Sequence, residues 1–201
     1  ALRIQLEQNY IPTIVRQRSH QALVALSTDA FTQGVYLTLP VDFHDAVLQG
    51  TYSAGALPAS YQTLPQAFDN LSAAAAGIGY NLSIVASNIT VFQIGAFQAV
   101  AVVNVSYNLS SREGSVTFRN NLTNKEIIFT LVQVPDLYYN TNASNLGWND
   151  WRIFKPFFTP KWNNTVFTSL ATNRSYAPSN ESPSIFNRLQ GNPAAHPYGI
   201  E

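Results

Sequence analysis

Ten asparagines stand two positions ahead of a Ser or Thr: Asn70, Asn81, Asn88, Asn104, Asn108, Asn121, Asn142, Asn163, Asn173 and Asn180. This spacing is the acceptor pattern for N-linked glycosylation, a chemistry of secreted chains. With 19 Asn and 32 Ser plus Thr in 201 residues, random shuffling would give roughly three such sites. The excess points to a secreted, sugar-coated protein. A glycan must face solvent, so the ten sites also map the outside of the fold. The competing explanation is an Asn-rich composition that generates acceptors by accident.

Other chemistry is thinly represented. There is no Cys and there are three histidines, His20, His44 and His196. His44 lies between Asp42 and Asp45, but a metal site needs three or four converging ligands and only one imidazole is nearby. No Gly-X-Ser-X-Gly elbow, Gly-rich phosphate loop or His-Glu-X-X-His occurs. The 11 acidic residues are scattered, so carboxylate pairs carry no information. The expectation is therefore a protein that is not an enzyme and holds no catalytic residue, metal or dissociable cofactor, with covalent N-glycans instead.

Charged residues are only 11% of the chain and the formal net charge is zero, against roughly 25% charged in ordinary soluble domains. Nothing in this balance suits nucleic acid or an anionic membrane surface. Few carboxylates imply weak acid sensitivity, and the absence of Cys and Met leaves little to oxidise. These traits suit an exposed surface in a hot or acidic habitat. No run of 18 apolar residues is present, so no membrane span is expected. The chain begins at Ala1, which reads as a mature product whose signal peptide has been removed.

The elements that must carry the acceptors read mostly as strands. Leu2, Ile4, Leu6, Tyr10 and Ile14 suggest a half-buried strand with Pro12 near its end. Arg16–Gln21 reads as a polar hinge. Ala22–Leu26, Val35–Leu39 and Ala46–Tyr52 are short strand candidates, and 53–66 is a loop. Gln66–Ala76 predicts a short helix, since Ala73–Ala76 are strong helix formers. The firmest β pattern runs from 81 to 134. In Phe97–Leu109 the odd positions are apolar, which places Asn104 and Asn108 together on the opposite, solvent face. Asn88 interrupts the apolar face of Leu82–Ile94, which predicts a bulge near Ala86–Asn88. Ser110–Gly114 and Asn120–Lys125 read as turns, with Asn121 at the tip of the second. Glu126–Val134 is apolar on both faces and reads as a central strand. Residues 136–163 are rich in aromatics, including Trp148, Trp151 and Trp162, and suit a core or interface better than a sugar-stacking platform. The sum is an all-β chain: an antiparallel β-sandwich, Ig-like (pilin-like) or jelly-roll, with at most one helix.

The first fifteen residues hold the further consequence. An apolar strand can complete its own sheet, stay a disordered leader, or fill a vacant position in a neighbour's sheet. About six buried apolar side chains would contribute roughly 9–18 kcal/mol before ordering costs. A contact of this head-to-tail kind does not close and builds a filament.

The apolar arm Leu2–Ile14, the hinge Arg16–Gln21, the ten acceptors, the low charge and the absence of Cys together resemble the subunits of archaeal thread filaments. These are glycosylated, pilin-like surface fibres of thermoacidophilic archaea joined by donor-strand complementation. The resemblance implies a donor-strand arm and hinge at 1–21 and a β-sandwich head at 22–201. It implies a homopolymer of identical subunits, located outside the cell and serving adhesion or biofilm cohesion. The alternative is a monomeric carbohydrate-binding module of a secreted surface protein. Bacterial pilins of similar plan often carry a disulfide, which this chain cannot form.

Overall fold

The computed structural model describes residues 2–135 and 178–200. The chain opens with α1 (Leu2–Gln5), a π-helical turn (Leu6–Tyr10) and α2 (Ile11–Gln33), which follow one another directly. α3 (Leu39–Gln49) comes next, then a small hairpin of β1 (Thr51–Tyr52) and β2 (Gly55–Ala56), and α4 (Leu64–Gly77). Three long strands then form an antiparallel sheet in the order β3 (Tyr80–Gly95), β4 (Gln98–Ser111), β5 (Thr117–Thr130). A short helix, α5 (Ile185–Leu189), lies in the C-terminal segment.

This architecture corrects the all-β expectation. The described residues form a mixed α/β fold with helices packed on one face of a three-stranded sheet, not a closed sandwich. The largest correction concerns the N-terminus. Leu2, Ile4, Leu6, Tyr10 and Ile14 lie on helix, not on an extended donor strand. The expected boundary between a 1–21 arm and a 22–201 head falls inside α2, which runs unbroken through Arg16–Gln21.

The reason is visible in the longer spacing. Leu6, Ile11, Val15, Ser19, Ala22, Leu23, Leu26 and Ala30 are all buried. Apart from the first interval and the adjacent pair Ala22 and Leu23, these residues recur every three or four positions, one stripe of an α-helix. The five-residue step from Leu6 to Ile11 is absorbed by the π turn, whose wider winding brings Ile11 back onto that stripe. Pro12 follows the π segment inside this continuous helical run, so its missing N–H leaves one backbone hydrogen bond unmade there. Ile4, which suggested alternation, is 57% exposed.

The strand candidates Ala22–Leu26 and Ala46–Tyr52 are corrected as well, the first lying within α2 and the second spanning the end of α3 and β1. Val35–Leu39 covers the connection between α2 and α3 together with Leu39, the first residue of α3. Pro40 opens α3, and Gly50 closes it at φ +73°, a left-handed cap. Asp42 is buried, and its carboxylate accepts the Thr38 N–H at 2.5 Å and the Ser53 N–H at 2.8 Å. One side chain thus fixes both the start of α3 and the following hairpin. The predicted helix at Gln66–Ala76 is present within α4. A capping box starts it, in which Thr63 and Gln66 exchange side-chain and backbone bonds.

The strands follow the alternation read from the sequence. Ala99, Ala101, Val103, Val105, Tyr107 and Leu109 of β4 are buried against the helices. The predicted bulge between Ala86 and Asn88 is present as a register shift. Two readings fail here. Asn120–Lys125 is not a turn, because β5 continues through it with a register shift between Leu122 and Lys125 and Asn124 at φ 50°. Among the described residues β5 is also an edge strand rather than a central one, with Ile128, and Val132 just past its end, more than half exposed. The C-terminal segment packs as a compact loop. Gly199 lies so close to the carbonyls of Ser179 and Ser182 that any side chain there would collide with backbone.

Burying Leu6, Ile11 and Val15 contributes about 4–9 kcal/mol before ordering costs. Deleting residues 2–15 is therefore expected to abolish cooperative unfolding in a denaturant titration, whereas a donated arm would leave a folded head. Leu26→Ala is expected to cost about 2–5 kcal/mol in the same measurement.

Candidate glycan-bearing face

The three-stranded sheet has one face against the helices and one directed away from them. Asn81 pairs with Ser110, Asn88 with Asn104, Asn108 with Ser83 and Arg119, and Asn121 with Ser106. These registers place all five acceptors of the sheet on the outer face. Asn81, Asn88 and Asn121 are exposed, while Asn104 and Asn108 are half-buried.

The acceptor spacing and the strand repeat coincide. Successive strand residues point to opposite faces, so positions i and i+2 share one. Asn81 and Ser83, Asn88 and Thr90, Asn104 and Ser106, and Asn108 and Ser110 therefore lie side by side on the outer face. The residue between each pair turns inward: Leu82, Ile89, Val105 and Leu109, with Leu122 doing the same after Asn121. Each acceptor triplet is thus also one repeat of an amphipathic strand written in uncharged polar residues.

Two acceptors are constrained by neighbours. The Asn104 side-chain oxygen accepts the Asn124 N–H at 2.7 Å, holding the bulge of β5. The Asn108 oxygen is buried without a hydrogen-bond partner among the described residues. Away from the sheet, Asn70 is exposed on α4 and Asn180 is exposed in the C-terminal segment. Asn142, Asn163 and Asn173, and the whole aromatic stretch 136–163, lie outside the described residues.

The histidines do not converge. His44 Nδ1 lies 2.9 Å from Asp45 Oδ1, but Asp42 is occupied by backbone N–H groups. His20 Nε2 is 2.8 Å from the Val132 carbonyl, and His196 Nδ1 accepts the Tyr198 N–H at 3.1 Å. Among the described residues no group of three His, Cys, Asp or Glu could hold a metal ion. No helix among them is long and apolar enough to cross a membrane.

One polar cluster escaped the sequence reading. Glu7, in the π turn, accepts hydrogen bonds from the Tyr107 hydroxyl, from Asn120 Nδ2 at 2.8 Å and from Arg3 Nε at 3.2 Å. It joins the first helical turns to the inner faces of β4 and β5. The Tyr107 hydroxyl bond is the main reason the Glu7 carboxyl is held below the usual range; burial opposes it, and Asn120 and Arg3 assist. Burial, then the Glu7 carboxylate, push the Tyr107 hydroxyl up. The Arg3–Glu7 spacing of four is a helix-type ion pair, the one sequence signal that could have revealed it. Farther along, Arg16 Nε donates to the Ile128 carbonyl at 3.1 Å, so Arg16 and His20, one turn apart, tie α2 to β5 and its exit.

Comparison with known protein families, curated proteins and solved structures yields no match.

A lowered carboxyl pKa stabilises the fold above the unfolded value and loses that contribution as pH falls through the folded value. Glu7→Gln is expected to flatten the acid limb of a stability–pH curve. At neutral pH it should cost about 1.5–3 kcal/mol, the range for a hydrogen bond to a charged group. Glycopeptide mapping is expected to find higher occupancy at exposed Asn81, Asn88 and Asn121 than at Asn104 and Asn108.

Proposed function

We propose that this chain is an extracellular, N-glycosylated structural domain of a cell surface, without catalytic activity, whose outer sheet face carries the sugars. The observation that supports this reading is the gathering of all five sheet acceptors on the face turned away from the helices. That face has few charges of its own, so sugars would supply its solubility and would hinder proteases and lateral sheet-to-sheet association. An adhesive or cohesive role at the surface is consistent with a chain that is 11% charged and has no Cys or Met to oxidise.

Filament assembly through a donated N-terminal strand is not carried forward, because that segment is helical and buries Leu6, Ile11 and Val15 within its own chain. The carbohydrate-binding alternative rests on Trp148–Trp162, which lie outside the described residues.

The test is mass spectrometry of protein isolated from its native source. Sugar is expected on at least three of the five sheet acceptors, and enzymatic removal of it is expected to raise protease sensitivity and aggregation. A chain bare at all five would overturn the reading.

A further inference from the structure

Asn70 differs from the sheet acceptors in its surroundings. It lines an open recess of about 300 Å³ between α2 and α4, together with Ile14, Gln17, Arg18, Gln62 and Leu71. This volume lies at the lower end of the range for small-ligand sites. Ile14 and Leu71 pack against the core and give the recess an apolar wall. Arg18, Gln17 and Gln62 bring polar side chains to it. Arg18 Nη1 reaches the Gln62 carbonyl only at 3.4 Å, and its Nε is buried without a hydrogen-bond partner among the described residues. The neighbouring Tyr61 hydroxyl is also buried and unpartnered. Both atoms are shut off from solvent, so the recess meets Arg18 through the rest of its side chain, beside Gln17 and Gln62.

We propose that the recess is a seat for the protein-proximal sugars of a glycan attached to Asn70. A sugar ring combines hydroxyls with apolar C–H faces. It matches a site in which a guanidinium and two amides stand beside two aliphatic side chains. The attachment point is itself part of the lining, so the ligand is delivered at high effective concentration and weak contacts suffice to hold it. In this arrangement the glycan bridges α2 and α4 and fastens the helix layer from outside. The inference rests on the glycoprotein reading above.

The test uses full-length protein from a glycosylating host, in four forms: wild type, Ser72→Ala, Arg18→Gln and the double variant. Ser72→Ala removes the acceptor pattern but keeps Asn70, and Ser72→Thr restores the pattern as a control. Glycopeptide mapping is expected to show Asn70 occupied in wild type and in Ser72→Thr. Ser72→Ala is expected to lower the thermal midpoint by about 2–4 °C, a shift typical for a chain of this size. Arg18→Gln is expected to shift the midpoint less in the Ser72→Ala background than in wild type, the non-additivity of groups in contact. That coupling is expected to vanish in protein made without glycosylation.

Additive shifts with Asn70 occupied would overturn the seat. So would a bare Asn70 beside occupied sheet acceptors, leaving the glycoprotein reading intact. A chain bare at every acceptor would overturn both.

Discussion

The apolar seam between α2 and the inner face of the sheet is the interaction on which the rest of the structure depends. Ile11, Val15, Leu23 and Leu26 are fully withdrawn from water there, in one core cluster with the β4 stripe running from Ala99 to Leu109. A three-stranded sheet with one uncovered apolar face would not persist in water. The helix layer supplies that cover, and it leaves the other face free to be polar. The π turn keeps Leu6 and Ile11 on the same stripe, while Glu7, Arg16 and His20 fix the position of the helix against β4, β5 and the exit of β5. The seam therefore sets both the core and the direction in which the acceptor asparagines point.

Much of the sheet was legible in the sequence because its strands alternate strictly. Polar positions such as Asn104, Ser106 and Asn108 interleave with Val103, Val105, Tyr107 and Leu109 over a long run, and no helical period fits it. Even the irregularity at Ala86–Asn88 could be read, because Asn88 broke the alternation by one step. The Asn120–Lys125 stretch misled for a related reason. Its cluster of Asn residues has turn chemistry, and the chain uses that chemistry for a bulge, with Asn124 in the left-handed region.

The N-terminus was misread because two periods compete there. Leu2, Ile4 and Leu6 alternate over a short distance, and the helical stripe becomes clear only when followed as far as Ala30. Ser19 and Ser27 lie on the buried side and blur that stripe, and the extra residue of the π turn shifts it. The acceptors themselves were fully legible, since three residues define each one. Their gathering on one face was legible only for Asn104 and Asn108, which share a strand. Bringing in Asn81, Asn88 and Asn121 required the registers of β3 and β5. The Glu7 cluster was hidden because its partners lie about a hundred residues away along the chain.

The coincidence of the triplet spacing with the pleat separates two jobs that often conflict. The inner residue of each triplet holds the fold together, and the two outer ones address the surroundings. Exchanging an exposed outer residue such as Asn81 or Asn88 changes the surface without touching the inner packing, and exchanging Val for Ile inside adjusts the packing without changing the outer face. The exposed outer positions can therefore be changed one at a time while the scaffold beneath stays the same.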